Sequence, residues 1–100
     1  MKEQELWAPL YSEHLNSIFY LSIDNAPPIE LELVKVTTLR SDLANEQFSL
    51  LFRAPPNLQP IQLMGKLEHE KLDAMEMLLV PVSRDENNLY FEAVFNRFLN

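Results

Sequence analysis

The sequence predicts an all-β fold: a small six-stranded antiparallel barrel or roll with one short N-terminal helix. Apolar residues recur at a period of two in most segments of the chain, while no helical pattern runs longer than about two turns. The apolar runs also follow one another through short loops rich in Pro, Asn and Asp. No stretch is long enough for a helical crossover, so neighbouring strands should pair antiparallel. One hundred residues, 47% of them hydrophobic, make a single domain, residues 1–100, that can build a core without staples.

The N-terminal segment carries Leu6, Trp7, Leu10, Tyr11 and Leu15 at helical spacing. Pro9 belongs in a first turn, which places the helix at about 9–15 with Trp7 packing just ahead of it. Asn16 then serves as a left-handed cap. The first strand is expected over 16–23, where Ile18, Tyr20 and Ser22 alternate with Phe19, Leu21 and Ile23. Both faces are apolar, and one small core can take only one. The other needs a cover: the Trp7–Leu15 segment, which is favoured, a second copy of the chain, or a partner.

Asp24-Asn25-Ala26-Pro27-Pro28 is a turn by composition. In the second strand, 29–39, Ile29, Leu31 and Leu33 oppose Glu30 and Glu32. The apolar phase slips at Leu33-Val34, which calls for a bulge. A polar loop, Arg40 to Glu46, leads into the third strand, 47–53, with Phe48, Leu50 and Phe52 alternating with Ser49, Leu51 and Arg53. Ala54-Pro55-Pro56-Asn57 ends it, because prolines cannot donate to a ladder. The fourth strand, 61–69, sets Ile61, Leu63, Gly65 and Leu67 on one face and Gln62, Met64, Lys66 and Glu68 on the other. Gly65, the only glycine in the chain, marks a bulge or a close approach of another group.

Leu72-Asp73-Ala74 is read as the turn into a final hairpin, whose strands at 76–82 and 89–96 flank the polar residues Arg84 to Asn88. Leu78, Val80 and Val82 share one face of the first arm, and Phe91, Ala93 and Phe95 one face of the second. The expected core is Phe48, Leu50, Phe52, Leu78, Val80, Phe91 and Phe95.

Three stretches carry a resemblance: FSLLFRAPP at 48–56, QLMGKLEHEKLDAMEMLLVPVSRD at 62–85 and YFEAVFNR at 90–97. In this order and spacing they resemble a family of short bacterial proteins catalogued as a domain of unknown function, from about Leu15 through Asn96. The resemblance implies a compact β-domain without assigned catalytic residues, and an association with phage tail-collar-like proteins. The family tends to place glycine where this chain has Asn16, Ala54 and Asp73; Asn and Asp tolerate the left-handed turns such glycines make.

Composition excludes several kinds of chemistry. With no cysteine, the chain has no disulfide, thiolate zinc site or cysteine nucleophile. With one glycine, it has no phosphate-cradling loop. Fifteen Asp plus Glu against eight Lys plus Arg give a net charge of −7, and the positives are scattered singly. Nucleic-acid binding is therefore not expected. No run is long enough for a membrane span or a signal peptide, so a cytoplasmic protein is expected.

His69 stands in Glu68-His69-Glu70, whose glutamates on a strand point away from the ring; a structural hydrogen bond at the strand end is the expectation. His14 is read as a helix-end histidine interacting with the dipole. Ser49, His69 and Asp85 can be assembled into a triad on paper, but without a nucleophile elbow or an oxyanion loop. Arg53 is expected to bridge to Glu92 or Asp85, or else to serve an interface.

No catalytic residue, cofactor or metal is therefore expected. The sequence is read as a protein-interaction or assembly module whose partner is another protein or a second copy. Phe19, Leu21, Arg53, Phe98 and Leu99 are its candidate interface residues. The alternative is a small-molecule-binding or hydrolytic barrel that uses His69 and nearby carboxylates.

Overall fold

A five-residue helix, α1 (Ala8–Ser12), precedes six strands in the computed structural model, which describes residues 5–99. The strands are β1 (Ile18–Ser22), β2 (Ile29–Ser41), β3 (Asn45–Ala54), β4 (Leu63–His69), β5 (Leu72–Arg84) and β6 (Leu89–Phe98). They close an antiparallel barrel in the order β1-β2-β3-β6-β5-β4. No helix among the described residues is long and apolar enough to cross a membrane.

Alternation decides which residues fill the interior. Phe19 and Leu21 of β1, Leu31 and Leu33 of β2, Phe48, Leu50 and Phe52 of β3, Leu67 of β4 and Phe91 of β6 are all buried. The expected slip in β2 is a bulge: Leu33 pairs with Phe52, and the next pair is Lys35 with Leu51. A second shift follows between Thr38 and Arg40.

β5 departs from expectation. It begins at Leu72, and the turn before it is Glu70-Lys71 rather than Leu72-Asp73-Ala74. Met77 and Leu79 point inward, whereas Leu78 and Val82 are exposed and Val80 is half-buried. Both faces of residues 77–82 are apolar, so alternation alone did not choose between them. The ladder to β4 does choose: Gly65, whose neighbour Leu67 is buried, pairs with Met77, and Leu63 with Leu79. Cross-strand partners share a face. Phe95 is half-buried and packs against the core from its edge.

Gly65 has an ordinary strand backbone; its role is space. A Cβ built there would lie 2.5 Å from the Ser22 carbonyl oxygen, where β4 meets β1. The same device forms two of the hairpin turns. In Asp42-Leu43-Ala44-Asn45 and again in Asp85-Glu86-Asn87-Asn88, the Asp N–H donates to the Asn carbonyl at 3.0 Å. Each Asp Oδ1 accepts the N–H groups two and three residues on. These hydrogen bonds, with Arg40 first among the causes, hold the Asp42 carboxyl down to about 2.

The helix is shorter than expected, and residues 13–16 are a turn that ends in Asn16 at φ 69°. It covers the inner face of β1. Tyr11 is buried with its ring 6.2 Å from Phe19, 5.9 Å from Phe48 and 6.1 Å from Phe95, and its hydroxyl reaches Met75 Sδ at 3.8 Å. Phe19 is thus buried within the chain, but on the core side; the second apolar face, for which the helix was the expected cover, is not covered by it. The outer face, Ile18 and Tyr20, stays exposed.

Two substitutions on adjacent residues test the inward face of β5. Leu79→Ala should cost about 2–5 kcal/mol, and Leu78→Ala no more than about 0.5 kcal/mol, read by denaturant unfolding. Gly65→Ala should lose about 1–3 kcal/mol by overpacking the seam, because the group it meets is backbone and cannot rotate away. Wild-type stability in that variant would mean the seam is looser than described.

Candidate interaction surface

Buried side chains fill the interior around Phe19, Phe48, Phe52 and Phe91. Phe19 and Leu21, expected at an interface, are 1% and 0% exposed and point into the barrel; neither can meet a partner. Arg53 pairs with Glu32, its cross-strand neighbour on β2, and not with Glu92 or Asp85. This pairing raises the Arg53 guanidinium above its ordinary value. Asp85 is committed to its own turn and to the Tyr90 hydroxyl.

At the other end of the barrel the outcome differs. Phe98 is 85% exposed, and Leu99 is half-buried with its N–H donating to the Ala44 carbonyl at 2.8 Å. That bond, and the pairing of Asn45 with Phe98, join the end of β6 to the β2–β3 turn, where Leu43 is 95% exposed. The turn geometry does not require a leucine there. Its twin at residues 85–88 places Glu86 at the same position, exposed as Leu43 is. Leu39, 55% exposed, adds to the apolar surface of the β2 end.

Beneath this end lies a polar knot that sequence reasoning missed. Glu46 is 1% exposed; it accepts the N–H groups of Trp7 at 3.0 Å and Ala8 at 2.9 Å, and Arg97 Nη1 at 2.6 Å. Burial works to raise this carboxyl, but the hydrogen bonds from Ala8, Trp7 and Arg97 outweigh it and hold it below the usual carboxylate range. Arg97 also lies 3.8 Å over the Trp7 ring. Nothing local marks Glu46 as buried, since its partners stand 38 to 51 residues away.

His14 and His69 come together although 55 residues apart in sequence, with ring centroids 4.6 Å apart; Phe19 lies 4.5 Å from His69. The Lys71 N–H donates to His69 Nδ1 at 3.1 Å, which leaves Nε2–H to donate to Ser17 Oγ at 3.0 Å. The Ser17 hydroxyl in turn donates to the His14 carbonyl at 2.5 Å. Nε2 thus ties the end of β4 to the segment before β1, while Nδ1 caps the β4–β5 turn; the first is the structural hydrogen bond expected of His69. His14 lies beyond the last residue of α1 and meets a ring, not a helix end. Ser49 sits in mid-β3 between Thr37 and Val94, while Ser17 is the serine that His69 meets, so the paper triad is not assembled. Among the described residues, no group of three or more His, Cys, Asp or Glu is placed to hold a metal ion.

The His69 arrangement makes stability depend on pH. Burial first, then the neighbouring charges of His14 and Lys71, hold His69 below its ordinary 6.5 against the pull of Glu70. As pH falls, the unfolded chain therefore takes up the proton first. The contribution of His69 is fully present above 6.5 and is lost as pH drops from there toward the folded-state value. Thermal melts from about pH 7.5 to about pH 5.5 should show a decline that His69→Gln reduces. An unchanged slope in that variant would remove His69 as its source.

A family model described as Domain of unknown function (DUF6916) matches residues 8–95. No curated protein and no solved structure matches the chain.

Proposed function

The chain belongs to the DUF6916 family, and from that premise we propose that it is a protein-interaction or assembly module without catalysis of its own. One observation carries the reading: Leu43 and Phe98 stand almost fully exposed on neighbouring strand ends, at a turn whose twin manages with a glutamate. Large apolar side chains held out on a rigid hairpin are poised as anchors for a partner's pocket. The buried knot of Glu46, Arg97 and Trp7 directly below keeps that end rigid, which lowers the ordering cost of binding. The partner class implied by the family resemblance is a phage tail-collar-like protein.

The hydrolytic alternative finds less support. Both His69 nitrogens are engaged, and the Ser17 hydroxyl is committed to a carbonyl. Glu68 accepts from Ser22 at 2.9 Å.

Affinity capture with the full chain tests the proposal. Leu43→Glu and Phe98→Glu should each leave unfolding within about 0.5 kcal/mol of wild type. Each should cut the captured partner at least roughly tenfold, about 1.4 kcal/mol. Retention of the same partner by both variants would dismiss this surface.

A further inference from the structure

Large apolar side chains also gather on the outward face of β4, β5 and β6. Met64 of β4 pairs with Leu78 of β5, and the two are 59% and 43% exposed. Val94 of β6, 54% exposed, stands across a hollow of about 460 Å³ that Leu78, Val80 and Val94 help to line. The hollow lies where the β5–β6 ladder ends, at Val80 paired with Glu92. Tyr11, packed on Phe95 and reaching Met75, closes its inner side. It is a dip in the surface, with room for a side chain and not for a strand.

The charges that border this face balance one another, although the chain as a whole carries −7. Lys66 and Glu76 are exposed cross-strand partners, one step along from Met64 and Leu78. On the other border Glu92 is half-buried beside Leu51, and Lys35 follows on the far side of Leu51. None of these takes part in the ion pairs among the described residues. An acidic second copy would be repelled over much of the surface, but not where each carboxylate has a cation beside it.

We propose that a second copy of the chain docks here, face to face, about a two-fold axis running along β5. The arrangement of the face supports that operator. On the axis, Leu78 and Val80 meet their own counterparts, as a two-fold contact requires. To either side, β4 of one copy lies over β6 of the other. Met64 then sits over the hollow of the partner copy, against its Val94. At the next level each Glu76 stands between the Lys66 of its own chain and the Lys66 of the partner copy, so the charges alternate and cancel. This contact is separate from Leu43 and Phe98, and neither depends on the other.

Sedimentation velocity of the full chain from about 10 μM to about 1 mM should show a monomer–dimer equilibrium. Leu78→Glu should weaken it at least about tenfold. Lys66→Glu and Glu76→Lys, each alone, leave only like charges around the axis and should each weaken it by a similar factor. An equimolar mixture of those two variants sets opposite charges across the interface while each chain keeps like charges within itself. Association in the mixture should therefore return to within about threefold of wild type. Leu43→Glu, outside this face, should change it less than about twofold. The proposal is overturned if the wild-type chain stays monomeric over that range, if the mixture associates no better than either variant alone, or if Leu43→Glu dissolves the dimer and Leu78→Glu does not. A monomeric chain that still captures its partner through Leu43 and Phe98 removes this inference and leaves the interaction reading standing. A dimer with that capture lost does the reverse.

Discussion

Closure of the barrel depends on how near β4 can come to β1. The Ser22 carbonyl fills the space that a side chain at residue 65 would occupy, and Ile23 Cγ1 and Leu21 Cδ1 crowd the same point at 3.1 and 3.2 Å. β1 is only five residues long, yet it is the one strand that joins β2 to β4. If that seam opened, the ring would become a sheet with two new edges, and Phe19 and Leu21 would lose the wall they pack against. The single glycine of the chain stands where the ring is thinnest.

The opposite problem, an unjoined stretch between β5 and β6, is handled by the N-terminal segment. Tyr11 reaches under the divergence to Phe95 on one side and Met75 on the other, while Glu46 holds the backbone just ahead of the helix. A five-residue helix has little stability of its own. Its place is set by a carboxylate from β3 and an aromatic cluster from the core. The polar and apolar contacts act on successive residues, so Trp7, Ala8 and Tyr11 seat together.

Much of this was legible in the sequence, where one face of a strand was clearly polar. Phe48, Leu50 and Phe52 of β3 and Leu67 of β4 turn inward as their alternation with mostly polar neighbours predicts, and the phase slip at Leu33-Val34 is visible as a change of period. Asn16 and Gly65 each announced a conformational or steric requirement through residue type. β5 was not legible because Leu78, Val80 and Val82 are as apolar as Met77 and Leu79; only pairing with β4 separates them. In β1 the apolar outer face suggested a partner at Phe19 and Leu21, but the interior takes those two and leaves Ile18 and Tyr20 outside. The Glu46 knot and the pairing of His14 with His69 left no trace in local spacing, because each joins residues that only the closed barrel brings together. The weight of Leu43 emerges from comparing its turn with residues 85–88, a likeness in the sequence that gains meaning once both turns are seen to share one hydrogen-bond pattern.

The strand order also fixes when the chain can finish folding. β3 lies between β2, its neighbour in sequence, and β6, whose first residue comes 35 positions after the end of β3. The β2–β3 hairpin can form early from local contacts, but its other edge, bearing Phe48, Leu50 and Phe52, must wait for β6. Loop closure over that distance is slow compared with hairpin formation. Until it happens, one edge of β3 is an open template for other chains. The acidic surface, with its net charge of −7, keeps such unfinished molecules apart during that interval.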